Sequence, residues 1–428
     1  MSERFDVIVV GAGVAGATAG YVLAQAGLEV VIIERGNYAG SKNMTGGRLY
    51  GHSLEKIIPN FAAEAPVERK VTKERVSLLT GDGAVTLDFY AGALGDQPHA
   101  SYTVLRGVFD QWLAGKAEEA GAVLATGVRV DELLLEDGKV VGVKAGEDVL
   151  EADVVILADG VNSLLAQQAG LRKELQPQNV AVGVKEVIEL PEKVIEDRFN
   201  LNGDEGLSWL FAGACTGGII GGGFLYTNKS SLSLGLVCTL SDIGRAEKTL
   251  PEMLEEFKQH PLIQPLIQGG KLIEYSAHLV PEGGLHMMPK LCGDGVLVVG
   301  DAAGFVINTG YMVRGMDLAI ASAEAAAQAV IRAKEKGDFT AQGLSSYQQL
   351  LEQSFVLQDL RLYQKAPEFM NNRRIFNDYP ALAVSLLTDV FKVDGSPSKS
   401  LWTKVNQAVK RVGLVTLLKD GLKGVRSV

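Results

Sequence analysis

The 428-residue sequence predicts an α/β fold with an α+β second domain: a dinucleotide-binding unit at the N-terminus, a β-rich middle and a helical C-terminal region. Three observations carry this reading. The β-branched run Phe5-Asp6-Val7-Ile8-Val9-Val10 flows directly into Gly11-Ala12-Gly13-Val14-Ala15-Gly16 and an Ala-rich helical stretch, the opening of a βαβ unit. Two later apolar runs end the same way, on Ala158-Asp159-Gly160 and on Gly300-Asp301-Ala302-Ala303-Gly304. Glycine is in excess, 50 residues without a collagen-like period, so the backbone is expected to approach something closely at several places.

In chain order, residues 5–10 read as a buried parallel strand because the apolar run is continuous rather than alternating. The following helix ends at Ala26-Gly27, and a second buried strand, 29–33, runs onto Glu34-Arg35. An amphipathic helix is expected near 104–120 and a hairpin near 128–150, turning at Glu136-Asp137-Gly138-Lys139. Strand 153–157 meets the second Gly/Asp segment. From about 180 to 278 the pattern is mostly strand, including 221–227 and 231–240, with a helix near 250–258. Strand 295–299 meets the third segment, and an Ala-rich helix spans 315–336. The remainder is helical with loops, and no internal repeat or clean linker is visible.

The first glycine segment has the context its chemistry needs: a strand before it, a helix after it, and Glu34 placed 18 positions beyond Gly16. Gly11 permits the tight turn, Gly13 lets the backbone approach a pyrophosphate, and Gly16 allows close helix–strand packing. The segment Gly11, Ala12, Gly13, Val14, Ala15 and Gly16 is therefore assigned to the cofactor, with phosphates at the helix N-terminus and Glu34 accepting from ribose hydroxyls. There is one such fingerprint, so a separate nicotinamide domain is not expected. The motif alone leaves NAD and FAD open.

Composition excludes several classes. The net charge of −10 argues against a general nucleic-acid binder. Cys215, Cys238 and Cys292 are far apart, which rules out a disulfide scaffold, a zinc finger and a four-cysteine iron–sulfur site within this chain, and fits a reducing cytoplasm. No metal ligands are assigned. The histidines are scattered, and neither G-x-S-x-G nor H-E-x-x-H occurs. The N-terminus does not read as a signal peptide, and no stretch reaches the roughly 18 uninterrupted apolar residues of a membrane span.

The second and third segments, Ala158-Asp159-Gly160 with Ser163 and Gly300-Asp301-Ala302-Ala303-Gly304 before a long helix, resemble the later flavin motifs of glutathione-reductase-like flavoproteins. The resemblance implies a Rossmann-type FAD domain built from discontinuous segments. The helix starting near Gly315 and Met316 would point its positive end at the flavin and favour an anionic reduced form. The segments running from Gly40 to Tyr50, Leu105-Arg106 with Phe109-Asp110, Val182 to Glu186, Pro281-Glu282-Gly283-Gly284, Tyr363 to Pro367 and Arg374 to Pro380 narrow it further. They resemble the short bacterial FixC branch of the electron-transfer flavoprotein–quinone oxidoreductases.

That resemblance implies FAD contacts at Arg35, Lys42, Asn43, Thr45, Gly46, Gly47, Arg106, Val130, Asp159, Gly160, Gly300, Asp301, Gly310, Gly315 and Met316, besides the first glycine segment and Glu34. It implies no catalytic side chain, because the flavin carries the chemistry. It divides the chain into an FAD domain (1–75, 100–170 and 275–336), a β-rich quinone or partner domain (76–99 and 171–274) and a helical region (337–428). Electrons would come from electron-transfer flavoprotein subunits and pass to membrane quinone, within a FixABCX-type, electron-bifurcating complex. The longer relatives carry a four-cysteine cluster near the C-terminus; no cysteine lies beyond Cys292 here, so either there is no cluster or, as the resemblance implies, a separate ferredoxin-like iron–sulfur subunit supplies it.

Residues 399–428 hold Lys399, Lys404, Lys410, Arg411, Lys419, Lys423 and Arg426 against Asp420 alone, a local +6 that leaves −16 on the rest. Leu401, Val405, Val409 and Val412 recur at helical spacing beside Trp402, as a basic amphipathic segment at a membrane surface would. The expected location is cytoplasmic and peripheral to the inner face of the cell membrane. Packing of this tail on the protein or a partner, and the rival activities of isoprenoid (geranylgeranyl) reductase and flavin monooxygenase, stay open on the sequence.

Overall fold

The computed structural model describes residues 3–42 and 47–428, and two sheets organise them. The first is built on five parallel strands in the order Val123–Thr126, Val30–Glu34, Glu3–Val10, Asp148–Leu157 and Val296–Val298. Their interiors are continuous apolar runs because both faces are covered: Val7, Ile8, Val9, Ile32 and Val154 through Leu157 are almost fully buried. Helix Val14–Gln25 packs between helices Arg106–Glu119 and Met316–Lys336 on one face. The hairpin Glu132–Glu136/Lys139–Ala145 pairs antiparallel with the start of Asp148–Leu157. Since the five strands are parallel, the three Gly/Asp segments all emerge at one edge of the sheet, the carboxyl edge where ligands of such folds sit.

The second sheet runs in the order Lys271–Pro281, Val180–Glu189, Ser231–Thr239, Gly221–Thr227, Glu205–Gly213, Val67–Leu79, Ser101–Val104 and Arg48–Tyr50, with Ala84–Tyr90 on the flank of Val67–Leu79. One face is closed by helices Glu192–Phe199 and Leu250–Gln259 over a core that includes Val184, Leu207, Phe211, Leu234 and Phe257. The Leu250–Gln259 helix starts on a reciprocal capping box between Thr249 and Glu252, which satisfies two otherwise orphaned N–H groups. Strands Arg48–Tyr50, Ser101–Val104 and Lys271–Pro281 belong to this sheet, although parts of them fall in segments the sequence assigns to the FAD domain. The ladder extends across those boundaries because edge N–H and C=O groups pair with the next available strand.

Helix Asp378–Phe391 packs against strands Val67–Leu79 and Ala84–Tyr90; helix Leu401–Val412 packs on it, and helix Leu414–Val425 packs on Leu401–Val412 and on helix Ala366–Met370. Among the described residues no helix is long and apolar enough to cross a membrane.

Candidate functional site

The glycine segment forms at the junction of strand Glu3–Val10 and helix Val14–Gln25. Gly11 has φ +103°, and a Cβ there would lie 2.4 Å from the Ala158 carbonyl oxygen; one at Gly16 would meet the Gly11 carbonyl oxygen at 1.8 Å. Gly13 is the helix N-cap and has no side chain to cap it, so the first-turn N–H groups have no capping partner from the cap residue. Glu34 fixes the turn from the neighbouring strand: its Oε2 accepts from the Ala12 N–H (2.9 Å) and its Oε1 from the Gly36 N–H (2.7 Å).

The other two segments close around this turn. Ser163 donates to Asp159 Oδ1 at 2.8 Å, yet burial pushes the Asp159 carboxyl up to about 6. Arg172 donates to the Val161 carbonyl and is held near that of Ala302, tying the second segment to the third. Gly300, at φ +60°, brings the third segment within 3.0 Å of Ala15 Cβ for any added Cβ. Asp301 lines the cavity partly buried; burial raises its pKa, opposed by the charge of Arg106. Arg106, at the start of helix Arg106–Glu119, donates from Nε and Nη2 to the two carboxylate oxygens of Asp110 at 2.6 and 2.7 Å. Burial alone would lower its pKa, but Asp110 outweighs burial and holds it protonated.

These elements enclose one large cavity of about 320 Å³ between the carboxyl edge of the parallel sheet and the second sheet. Of the sequence-assigned residues, Gly13, Val14, Ala15, Gly47, Arg106, Gly160, Asp301, Gly310, Gly315 and Met316 line it. Gly11, Ala12, Gly16, Glu34, Asp159 and Gly300 lie behind that lining as the turns and carboxylates that shape it. Arg35 and Lys42 are exposed beside it, and Val130 packs on the main core outside it. Asn43, Thr45 and Gly46 lie outside the described residues.

The sequence assigned no site residues to the opposite wall, although Arg48, Glu282 and Phe376 fall within its resemblance segments. Leu210, Phe211, Phe224 and Val237 of the second sheet make it apolar, and Met370 and Phe376 from the C-terminal region join them. Arg48, Arg314, His278, Tyr226 and Glu282 add polar groups. Arg314 donates to Asp317 Oδ2 and, at 2.6 Å, to Asp359 Oδ2, beside the Gly315 cap of helix Met316–Lys336. His278 is held below its ordinary pKa by burial and by the charges of Arg35 and Arg106. Most of these wall residues come from β-strands whose patterns carry no ligand motif, while Met370 and Phe376 come from the helical C-terminal region and Glu282 from the turn after strand Lys271–Pro281.

A glycine cradle that a Cβ would fill, an uncapped helix start and basic side chains at a carboxyl edge fit a dinucleotide's phosphates. Fold and site together define an FAD-dependent oxidoreductase: residues 6–181 match the FAD dependent oxidoreductase family, and residues 366–428 match the ETF-QO/FixC family C-terminal domain. The chain is 57% identical over 426 residues to the probable electron transfer flavoprotein-quinone oxidoreductase YdiS of Escherichia coli (strain K12), covering 100% of this chain and 99% of that protein. Protein FixC of Salmonella typhi is 56% identical, with 99% of each chain covered. The chain belongs to the FixC family of electron transfer flavoprotein–quinone oxidoreductases. In fold it is similar to a geranylgeranyl bacteriochlorophyll reductase-like protein of Thermoplasma acidophilum (TM-score 0.74, 21% identity, 99% and 100% of the chains covered) and to the halogenase CndH (TM-score 0.65, 18% identity, 99% and 91% covered).

Proposed function

We propose that the protein takes electrons from an electron-transfer flavoprotein and delivers them to membrane quinone. The observation that supports this most is a single cavity with a glycine-and-arginine wall on one side and an apolar wall on the other, room for a flavin to face a second, greasy reactant. On this reading the first glycine segment and Arg106 hold the FAD phosphates, Glu34 the ribose, and the start of helix Met316–Lys336 faces the isoalloxazine. Bound FAD supplies the electron chemistry; the side chains bind, orient and exclude water. The three cysteines are dispersed, and burial pushes the Cys215 thiol up to about 12, so any iron–sulfur relay belongs to a separate ferredoxin-like subunit of a FixABCX-type complex.

The C-terminal helices are the membrane contact. Phe391, Val393, Leu401, Trp402, Val415, Leu418, Leu422 and Val425 are each more than half exposed, among lysines and arginines, while the same region contributes Met370 and Phe376 to the cavity wall. Apolar side chains turned outward beside cations suit an anionic bilayer surface. The test is reduction of quinone carried in anionic vesicles by this protein and reduced electron-transfer flavoprotein, with the ferredoxin-like subunit present. Quinol formation supports the reading, and none under those conditions refutes it. Reduction of an isoprenoid double bond is the second reading, favoured by the apolar wall; it requires turnover of a geranylgeranyl substrate with no quinone present.

A further inference from the structure

Among the described residues, Glu282 and Asp301 are the carboxyl groups that line the cavity, and Glu282 alone comes from the side of the second sheet. It follows strand Lys271–Pro281, where the chain leaves the sheet and turns through Gly283 and Gly284. Its backbone N–H is used locally, donating to the Asn179 carbonyl at 2.7 Å. Among the described residues its carboxyl group has one side-chain hydrogen bond, from the Thr239 hydroxyl to Oε2 at 2.8 Å. No lysine or arginine pairs with it among those residues. A carboxylate in such a place lacks the donors that would offset its desolvation.

We infer that Glu282 is the proton donor to the electron acceptor in this cavity, an acceptor of the quinone class whose oxygens need protons as well as electrons. This rests on the quinone reading above and deepens it. Quinone becomes quinol by taking two electrons and two protons. The electrons come from the reduced cofactor. For each proton, the O–H bond of the Glu282 carboxyl breaks and an O–H bond forms on a quinone oxygen. The carboxylate left behind keeps the Thr239 hydrogen bond, and a proton from water restores the acid. Burial raises the Glu282 pKa and the Thr239 hydroxyl opposes that rise, which keeps the acid form available. The titratable and charged groups on surrounding elements are Cys238, Asp242 with its partner Arg373, His278, His286 and Tyr363; across the cavity lie Arg106, Asp301 and Arg314.

The test uses the FAD-loaded full chain with the ferredoxin-like subunit present, reduced chemically and mixed with a soluble quinone in a single turnover. Glu282→Gln keeps the shape and can still accept from Thr239 but has no proton to give, so quinone reduction is expected to fall on the order of 10²-fold. The wild-type rate should decline as pH rises through the raised pKa, and the variant's profile should be flat across that window. Retention of FAD and an unchanged melting temperature show that the variant is folded. Thr239→Val, which removes the donor that stabilises the carboxylate, should move the wild-type decline to higher pH. A readout independent of turnover is the infrared carbonyl stretch of a protonated carboxyl group at neutral pH, expected in wild type and missing from Glu282→Gln. Equal rates and matching pH profiles in wild type and Glu282→Gln, an unmoved decline in Thr239→Val, or no difference in the infrared band would each overturn the assignment while leaving quinone reduction standing. A wild-type protein that passes no electrons to quinone would overturn the quinone reading itself, and this inference with it.

Discussion

At the residue scale, Gly11 and Asp159 occupy opposite sides of one contact and lead to different predictions. Gly11 sits at φ +103° with the Ala158 carbonyl where a Cβ would go. Gly11→Ala should therefore cost about 1–3 kcal/mol from the backbone alone and strip FAD from the purified protein; full flavin occupancy with an unshifted melting temperature would contradict this. Asp159 is partly buried, with its carboxyl pushed up to about 6 from an ordinary 3.8 by desolvation. A folded-state pKa above the unfolded value means that the unfolded chain ionises first, so the apoprotein loses stability as pH rises from about 4 to 6 and stays lower above that. Asp159→Asn should relieve this at pH 7 by on the order of 2–3 kcal/mol and make no difference near pH 4, read from apoprotein melting at both values. The glycine turn and Glu34 were legible in the sequence because each backbone constraint leaves a fixed residue type at a fixed spacing. Arg314 was not, and Glu282 was visible only as part of a resemblance segment without a role: a lone arginine before a helix and an acid after a strand acquire meaning when distant strands bring them to one wall.

At the element scale, the βαβ unit, helix Met316–Lys336 and strands Gly221–Thr227 and Ser231–Thr239 follow their sequence patterns closely. Strand Val67–Leu79 does not announce itself, since its run of Glu, Arg and Lys reads as surface. Arg69 is nevertheless buried, because its guanidinium donates to the carbonyls of Asn228, Gly203, Glu205 and Lys229, which replaces the water it loses. Such compensation is a tertiary fact that no local window contains. The tail is a mixed case. Its amphipathic spacing was visible, but what seats it is Asp420, whose carboxylate accepts from Arg374 Nε and Nη2 (2.6 and 2.9 Å), from Asn372 Nδ2 (2.9 Å) and from the Tyr379 hydroxyl. Arg374 holds the Asp420 carboxyl below the usual carboxylate range, so the clasp is complete above that range and is lost as pH falls through the depressed pKa. Asp420→Ala should loosen helix Leu414–Val425 at neutral pH, seen as faster amide exchange there and faster proteolysis of the tail. Unchanged exchange would show that packing of Gly424 on Phe369 suffices.

At the scale of the whole molecule, the sum of charges hides what matters. A net −10 is an acidic body carrying a basic, apolar-faced foot, and the foot adjoins the segment that walls the cavity. Deleting residues 399–428 should weaken binding to anionic vesicles, and the wild-type affinity should fall steeply with salt, since each basic residue near such a surface contributes about 1 kcal/mol. Binding that is indifferent to both deletion and salt would assign the foot to a protein partner. On this reading the flavin stands between an electron-transfer flavoprotein and quinone. The most direct measurement of that role is the flavin absorbance of this protein on mixing with reduced electron-transfer flavoprotein and the ferredoxin-like subunit, followed by a soluble quinone. The absorbance should bleach on the first addition and return on the second. A flavin that stays oxidised with both partner proteins present would contradict the account.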